Sequence, residues 1–256
     1  LFSTGIVFKR LSELCTSKEA KALTLKFAER SDQLFDEATR TGDYNRLFVY
    51  SAKKEVFDAL WEAIKTESKE AQNILNEIEA SWRIYNGIDN ADYYTRTGRM
   101  KSKLLNYYID ASIKGKRYGK VLYKFGAYHI SRGLSIVGGY DIGNFVSNIA
   151  DAEETSSYHL MVIGKEGEMN SFLLAEGMKS NPFDIANKAS QLNALLPLAH
   201  LIKEREWVFF DLKPMRKLLG KGDLKIESAF LKKTIAGYDG LVILPKVTPS
   251  TIMYKK

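Results

Sequence analysis

The stretch Ile226-Glu-Ser-Ala-Phe-Leu-Lys-Lys-Thr-Ile-Ala-Gly-Tyr-Asp-Gly-Leu-Val-Ile-Leu244 decides how this chain is read. It pairs a helix over Ile226 to Ile235 with a short apolar run, Gly240 to Leu244, bounded by turn residues. Such a run is the mark of a buried strand. Working outward, the same kind of run recurs at Val121 to Phe125, His159 to Ile163 and Trp207 to Leu212. All four are expected to be parallel-type strands. Helices fit between them, one capped by Asp141 and running toward Ala150, another over Leu192 to Lys203. Strands that alternate with helices imply an α/β layer architecture, here with a mostly parallel sheet in the C-terminal half.

Upstream the grammar changes. Residues 1 to 118 hold five glycines and no proline, whereas 119 to 256 hold thirteen glycines and all five prolines. The first part is therefore expected to be helical. Leu23, Phe27, Leu34 and Phe35 form an apolar stripe on a helix over Ser17 to Thr39, with Ser17 available as its cap. Val56, Phe57, Leu60, Trp61 and Ile64 mark a second helix, and Ile74, Ile78 and Trp82 a third. A fourth is expected from Asn90, carrying Met100, Leu104, Tyr108 and Ala111 on one face and Arg96 at that face's edge. With no Pro/Gly/Ser-rich linker in between, the expectation is one domain over 1–256, with a helical half (1–118) and an α/β half (119–256).

Composition narrows the function classes. The chain has 256 residues, 45% hydrophobic and 27% charged, which excludes disordered, collagen-like and disulfide-stapled proteins. No run of 18 apolar residues occurs, so no transmembrane helix is expected. The single cysteine, Cys15, cannot form an internal disulfide, and the compartment stays open. The chain opens at Leu1 without a signal-peptide pattern, which suggests a processed or truncated amino terminus. The formal charge of +7 is spread evenly, with 20 Lys/Arg against 17 Asp/Glu before residue 119 and 18 against 14 after it. Only Lys114, Lys116, Arg117 and Lys120 cluster. A polyanion-binding face needs more, so no nucleic-acid partner is expected.

The chemistry-bearing residues are few. Of three histidines, His129 follows the first expected strand, where ligands bind in open α/β sheets and an imidazole can take a proton from water near neutral pH. The alternative is a loop imidazole bonded to the backbone. His159 and His200 read as structural. Gly138 to Gly143 lacks nucleotide-binding spacing, and Gly164-Lys-Glu-Gly167 reads as a turn. Asp211 and Asp239 at strand ends either cap loops or face a cleft. No His/Cys/Asp/Glu set has zinc spacing and no Gly-x-Ser-x-Gly elbow is present, so neither a metal nor another cofactor is expected.

Tyr94-Thr-Arg96-Thr-Gly-Arg-Met100, Tyr128-His129-Ile-Ser-Arg132-Gly133 and Tyr140-Asp-Ile-Gly-Asn144 together resemble the erythromycin esterase-like family. Phe210-Asp-Leu-Lys-Pro214 and Tyr238-Asp-Gly-Leu-Val-Ile243 resemble that family's last two strand motifs. The resemblance implies a bacterial hydrolase in which His129 activates water against an ester and Arg96 stabilises the negative charge that develops. Helix-surface pairing with Asp92 is the alternative for Arg96. Tyr128, Arg132 and Tyr140 would bind the small-molecule substrate. The family's Gly-Glu-x-x-His motif is absent, and an upstream segment is expected to carry it. Gly126-Ala127 also departs from the polar residues that antibiotic esterases place before the histidine, which leaves the substrate open. Two other readings stand beside hydrolysis: a haem- or metal-binding relative, or a catalytically silent one on the same scaffold.

Overall fold

The computed structural model describes residues 4–113, 120–170, 180–203 and 206–249. Most of the basic cluster, Lys114 to Arg117, lies outside them. The chain divides between Arg96 and Thr97 into two compact units.

The first unit is helical. It contains α1 (Thr4–Leu14), α2 (Lys18–Thr41), α3 (Phe48–Ser51), α4 (Lys54–Ile64) and α5 (Lys69–Tyr85). Ser17 caps α2 by accepting from Ala20 N at 3.1 Å, and Ser68 caps α5 through Ala71 N at 3.2 Å. Gly42 ends α2 in the left-handed region, at φ 71°. The apolar stripes converge on one core, where Phe8, Leu11, Leu60, Ile64 and Leu75 are fully buried. Phe57 lies against Trp82 at 4.6 Å between ring centroids, and Trp82 Nε1 donates to Ala52 O at 2.8 Å. The turn between α1 and α2 is tied by Glu67, whose carboxylate accepts from Thr16 N at 2.7 Å and Ser17 N at 2.8 Å.

The next helix, α6 (Tyr93–Ile113), starts later than Asn90. Asp89 and Asn90 are in the left-handed region, which short polar side chains tolerate. Asp92 accepts from Thr95 N at 3.0 Å while Asp92 N donates to Thr95 Oγ1 at 3.2 Å, a reciprocal arrangement that fixes the start of the helix.

The second unit is mixed α/β. Four strands, β1 (Leu160–Asn170), β2 (Ser180–Asp184), β3 (Val208–Asp211) and β4 (Gly240–Val247), form a sheet in the order β2-β1-β4-β3. Only β1 and β4 are parallel, and β2 and β3 join antiparallel, so the expected mostly parallel sheet is corrected to a mixed one. Short apolar runs bounded by turn residues arise equally in either direction, because strand polarity leaves no mark on hydrophobic pattern. The run Val121 to Phe125 is not a strand. Residues 120–126 carry no regular structure, and Leu122 is 94% exposed, without a ladder to join. Gly164 to Gly167, expected as a turn, is the middle of β1. A Cβ on Gly167 would lie 2.0 Å from Val247 O, so the glycine permits close approach of β4.

On one face of the sheet Met161, Leu241 and Ile243 are buried with Leu195, Leu212 and Tyr238. Besides α6 from Thr97 onward, this unit has among the described residues the helices α7 (Ile142–Ala152), α8 (Leu196–Ala199), α9 (Lys213–Lys221) and α10 (Ala229–Gly237). α7 and α10 match the two expected there. The longer helix expected over Leu192 to Lys203 is instead a 3-10 turn, Gln191–Leu195, followed by the short α8, with Pro197 in its first turn.

Candidate active site

The segment from Gly126 to Asn144 holds most of the residues singled out by sequence. Ala127–His129 forms a single 3-10 turn, and the buried Tyr238 hydroxyl donates to Ala127 O. Burial also pushes the Tyr238 phenol up, with Tyr128 adding to the shift, so the hydroxyl stays a donor. From this anchored turn His129 Nδ1 meets Asp141 Oδ2 at 2.6 Å. A carboxylate only accepts, so Nδ1 carries the proton and the neutral ring keeps its basic lone pair on Nε2. Asp141 is itself held: its other oxygen accepts from Ile142 N at 2.7 Å, at the start of α7. The histidine side chain is 20% exposed and the aspartate 1%. A buried, doubly engaged carboxylate therefore fixes the tautomer and orientation of an imidazole that still reaches solvent.

The loop between them is closed locally. Leu134 and Tyr140 form an isolated antiparallel bridge, Ser135 N donates to Gly139 O at 2.9 Å, and Gly133 N donates to Asn144 Oδ1 at 3.0 Å. Lys101 of α6 donates to Tyr140 O. Tyr140 and Tyr128 keep exposed rings.

Arg132 is engaged within the fold. Its Nη1 donates to Asp239 Oδ1 at 2.7 Å and its Nη2 to Ser157 O at 2.6 Å. Asp239, next to β4, is buried and also accepts from Arg216 at 3.3 Å and from His159 N at 2.8 Å. Burial alone would raise its pKa, but the hydrogen bonds from Arg132 and His159 N and the charges of Arg132 and Arg216 outweigh that and hold it at about 2. His159 completes the cluster, with Nδ1 against Ile130 O at 2.7 Å and Nε2 against Ser157 Oγ at 3.1 Å.

Arg96 lies in the first turn of α6, half-buried, at the end of the first unit, whereas the other singled-out residues belong to the second. Asp92 Oδ1 accepts from Thr95 N at 3.0 Å and from Thr95 Oγ1 at 3.3 Å, which ties it to the start of the helix. His200 follows α8 and is exposed. Asp211, the last residue of β3, accepts from Lys213 N at 3.0 Å, at the start of α9.

Asp141 is the partner of His129 that its place in the sequence marks only as a helix cap. It reads as a helix cap, which it is, but the cap occupies one oxygen and leaves the other for His129. The signal was the separation of twelve residues with three glycines between, enough for a loop to double back. A cavity of about 680 Å³ opens in the first unit, lined by Phe27, Arg30, Glu37, Arg46 and Phe48 among others, and contains none of the residues singled out. Among the described residues no group of three or more His, Cys, Asp or Glu is placed to hold a metal, and no helix is long and apolar enough to cross a membrane. No family model, curated protein or solved structure matches the chain.

Proposed function

We propose that the chain carries the general-base histidine of an ester hydrolase similar to the erythromycin esterase-like family. The observation that carries this reading is the 2.6 Å contact between His129 Nδ1 and the buried Asp141. An imidazole locked in this tautomer presents Nε2 as the base. It can take a proton from water as the oxygen attacks an ester carbonyl, and Asp141 stabilises the imidazolium that results. The proton then passes from Nε2 to the leaving alkoxide as the tetrahedral intermediate collapses. No step uses a metal.

The resemblance adds Arg96 as the group that stabilises the developing oxyanion, a role that the kinetics of Arg96→Ala test on their own. Tyr128 and Tyr140 offer exposed aromatic rings beside the histidine segment for an apolar substrate moiety. The resemblance places Arg132 with them, and its Nη1 and Nη2 also hold the segment by donating to Asp239 Oδ1 and Ser157 O.

The test is a panel of chromogenic esters on the full-length protein. Turnover that falls by about 10²- to 10⁴-fold in His129→Ala is the expected result. Hydrolysis that is undiminished in that variant, or no hydrolysis across the panel, overturns the reading.

A further inference from the structure

His159 reads as a structural residue at the start of a strand, yet its ring bonds to the backbone of the histidine segment itself. Nδ1 lies 2.7 Å from Ile130 O, the carbonyl next to His129 in sequence. A carbonyl cannot donate, so Nδ1 carries the proton here too. Nε2 of the neutral ring then accepts from the Ser157 hydroxyl at 3.1 Å. The charged groups around this ring are Arg132 from the histidine segment, Arg216 from α9 and Asp239 beside β4. Two cations thus share one carboxylate before the imidazole gains any charge.

We propose that His159 is a positioning residue for the His129–Asp141 pair and acts only while its ring is neutral, so that acid protonation of His159 loosens the segment bearing His129. The proposal rests on the hydrolase reading for its consequence and on the cluster geometry for its cause. A proton on Nε2 turns Ser157 Oγ from donor to acceptor and sets a third cation beside Arg132 and Arg216. Of the two arginines, Arg132 is the one that belongs to the histidine segment, which it ties to Asp239 at 2.7 Å and to Ser157 O at 2.6 Å, so the added repulsion falls on that segment's own anchor. Burial foremost, with the two arginines, pushes the His159 pKa down and outweighs the Ile130 O bond and the Asp239 charge, which favour the proton, so neutrality is the resting state near pH 7.

The experiment is an imidazole-resolved NMR titration of the full-length protein from pH 8 to pH 4.5, without substrate. The ring signals of His129 are expected to show a step at the midpoint of His159, and that midpoint is expected below the value of a histidine in a free peptide, about 6.5. In His159→Asn, whose amide still donates to Ile130 O but cannot gain a proton, the step is expected to vanish. In Arg216→Gln, which removes one of the two cations, it is expected at higher pH. A His129 response without a step at the His159 midpoint overturns the proposal, as does a step that survives in His159→Asn. Should His159→Asn not fold, a step that fails to move in Arg216→Gln overturns it equally. Since no ester is present, failure here is distinct from failure of the hydrolase reading.

Discussion

Gly143 has no room for a methyl group. A Cβ there would lie 2.2 Å from the carbonyl carbon of Ile130 and 2.6 Å from Ser131 O, both backbone atoms that no rotamer change can move. The first turn of α7, and Asp141 with it, can therefore approach the histidine segment only because residue 143 is glycine. Gly143→Ala is expected to cost about 1–3 kcal/mol by overpacking, measured by urea unfolding, and to disturb the His129–Asp141 contact. Asp239 matters for a different reason. It is the single buried carboxylate between Arg132 and Arg216, and removing it leaves two cations facing each other. Asp239→Ala is expected to destabilise by about 3–5 kcal/mol in the same assay, more than the loss of any one exposed ion pair on the helices. At this scale the candidacy of His129 was legible in the sequence because histidines are scarce. The roles of Arg132 and Asp239 were not, because 107 residues separate the two partners and nothing local marks a long-range ion pair.

Elements were legible where local chemistry dictates them. Ser17 before the stripe of α2 and Asp141 before α7 each satisfy a helix start with their own side chain, so those boundaries fell within a residue or two. Strand polarity was not legible, since it depends on which neighbour a run meets, and the apolar run at Val121 to Phe125 meets none among the described residues. The α6 helix offers a prediction of its own. Gly98 lies in its interior with nothing within 4 Å of where a Cβ would be, and helical backbone there suits an L residue. Gly98→Ala is expected to stabilise the protein by about 0.4–1 kcal/mol, read as a rise in the urea midpoint. A loss of stability would show that α6 is not the continuous helix described.

The molecule as a whole joins a helical unit, with its own aromatic core, to a unit whose sheet is anchored by buried charge. That difference sets its response to acid. Glu67 in the first unit and Asp239 in the second are each held at about 2 in the fold, Glu67 chiefly by backbone hydrogen bonds from Thr16 and Ser17. Both pKa values lie below those of the unfolded chain, so the stability they contribute is complete above about pH 5 and is lost as pH falls toward 2. His159 is also depressed, which means that the fold disfavours its proton and stability declines earlier, as pH drops below about 6.5. Thermal unfolding followed from pH 8 to pH 2 is expected to show both declines, with the first absent in His159→Asn. The central claim, that one carboxylate-held imidazole performs the chemistry, is tested most directly by kcat/KM toward a chromogenic ester in His129→Ala, Asp141→Asn and the double variant. In the proposed mechanism Asp141 contributes to the chemistry through His129, so the double variant is predicted to be no slower than His129→Ala alone. Losses that multiply in the double variant, or an Asp141→Asn protein as fast as the parent, would contradict the account.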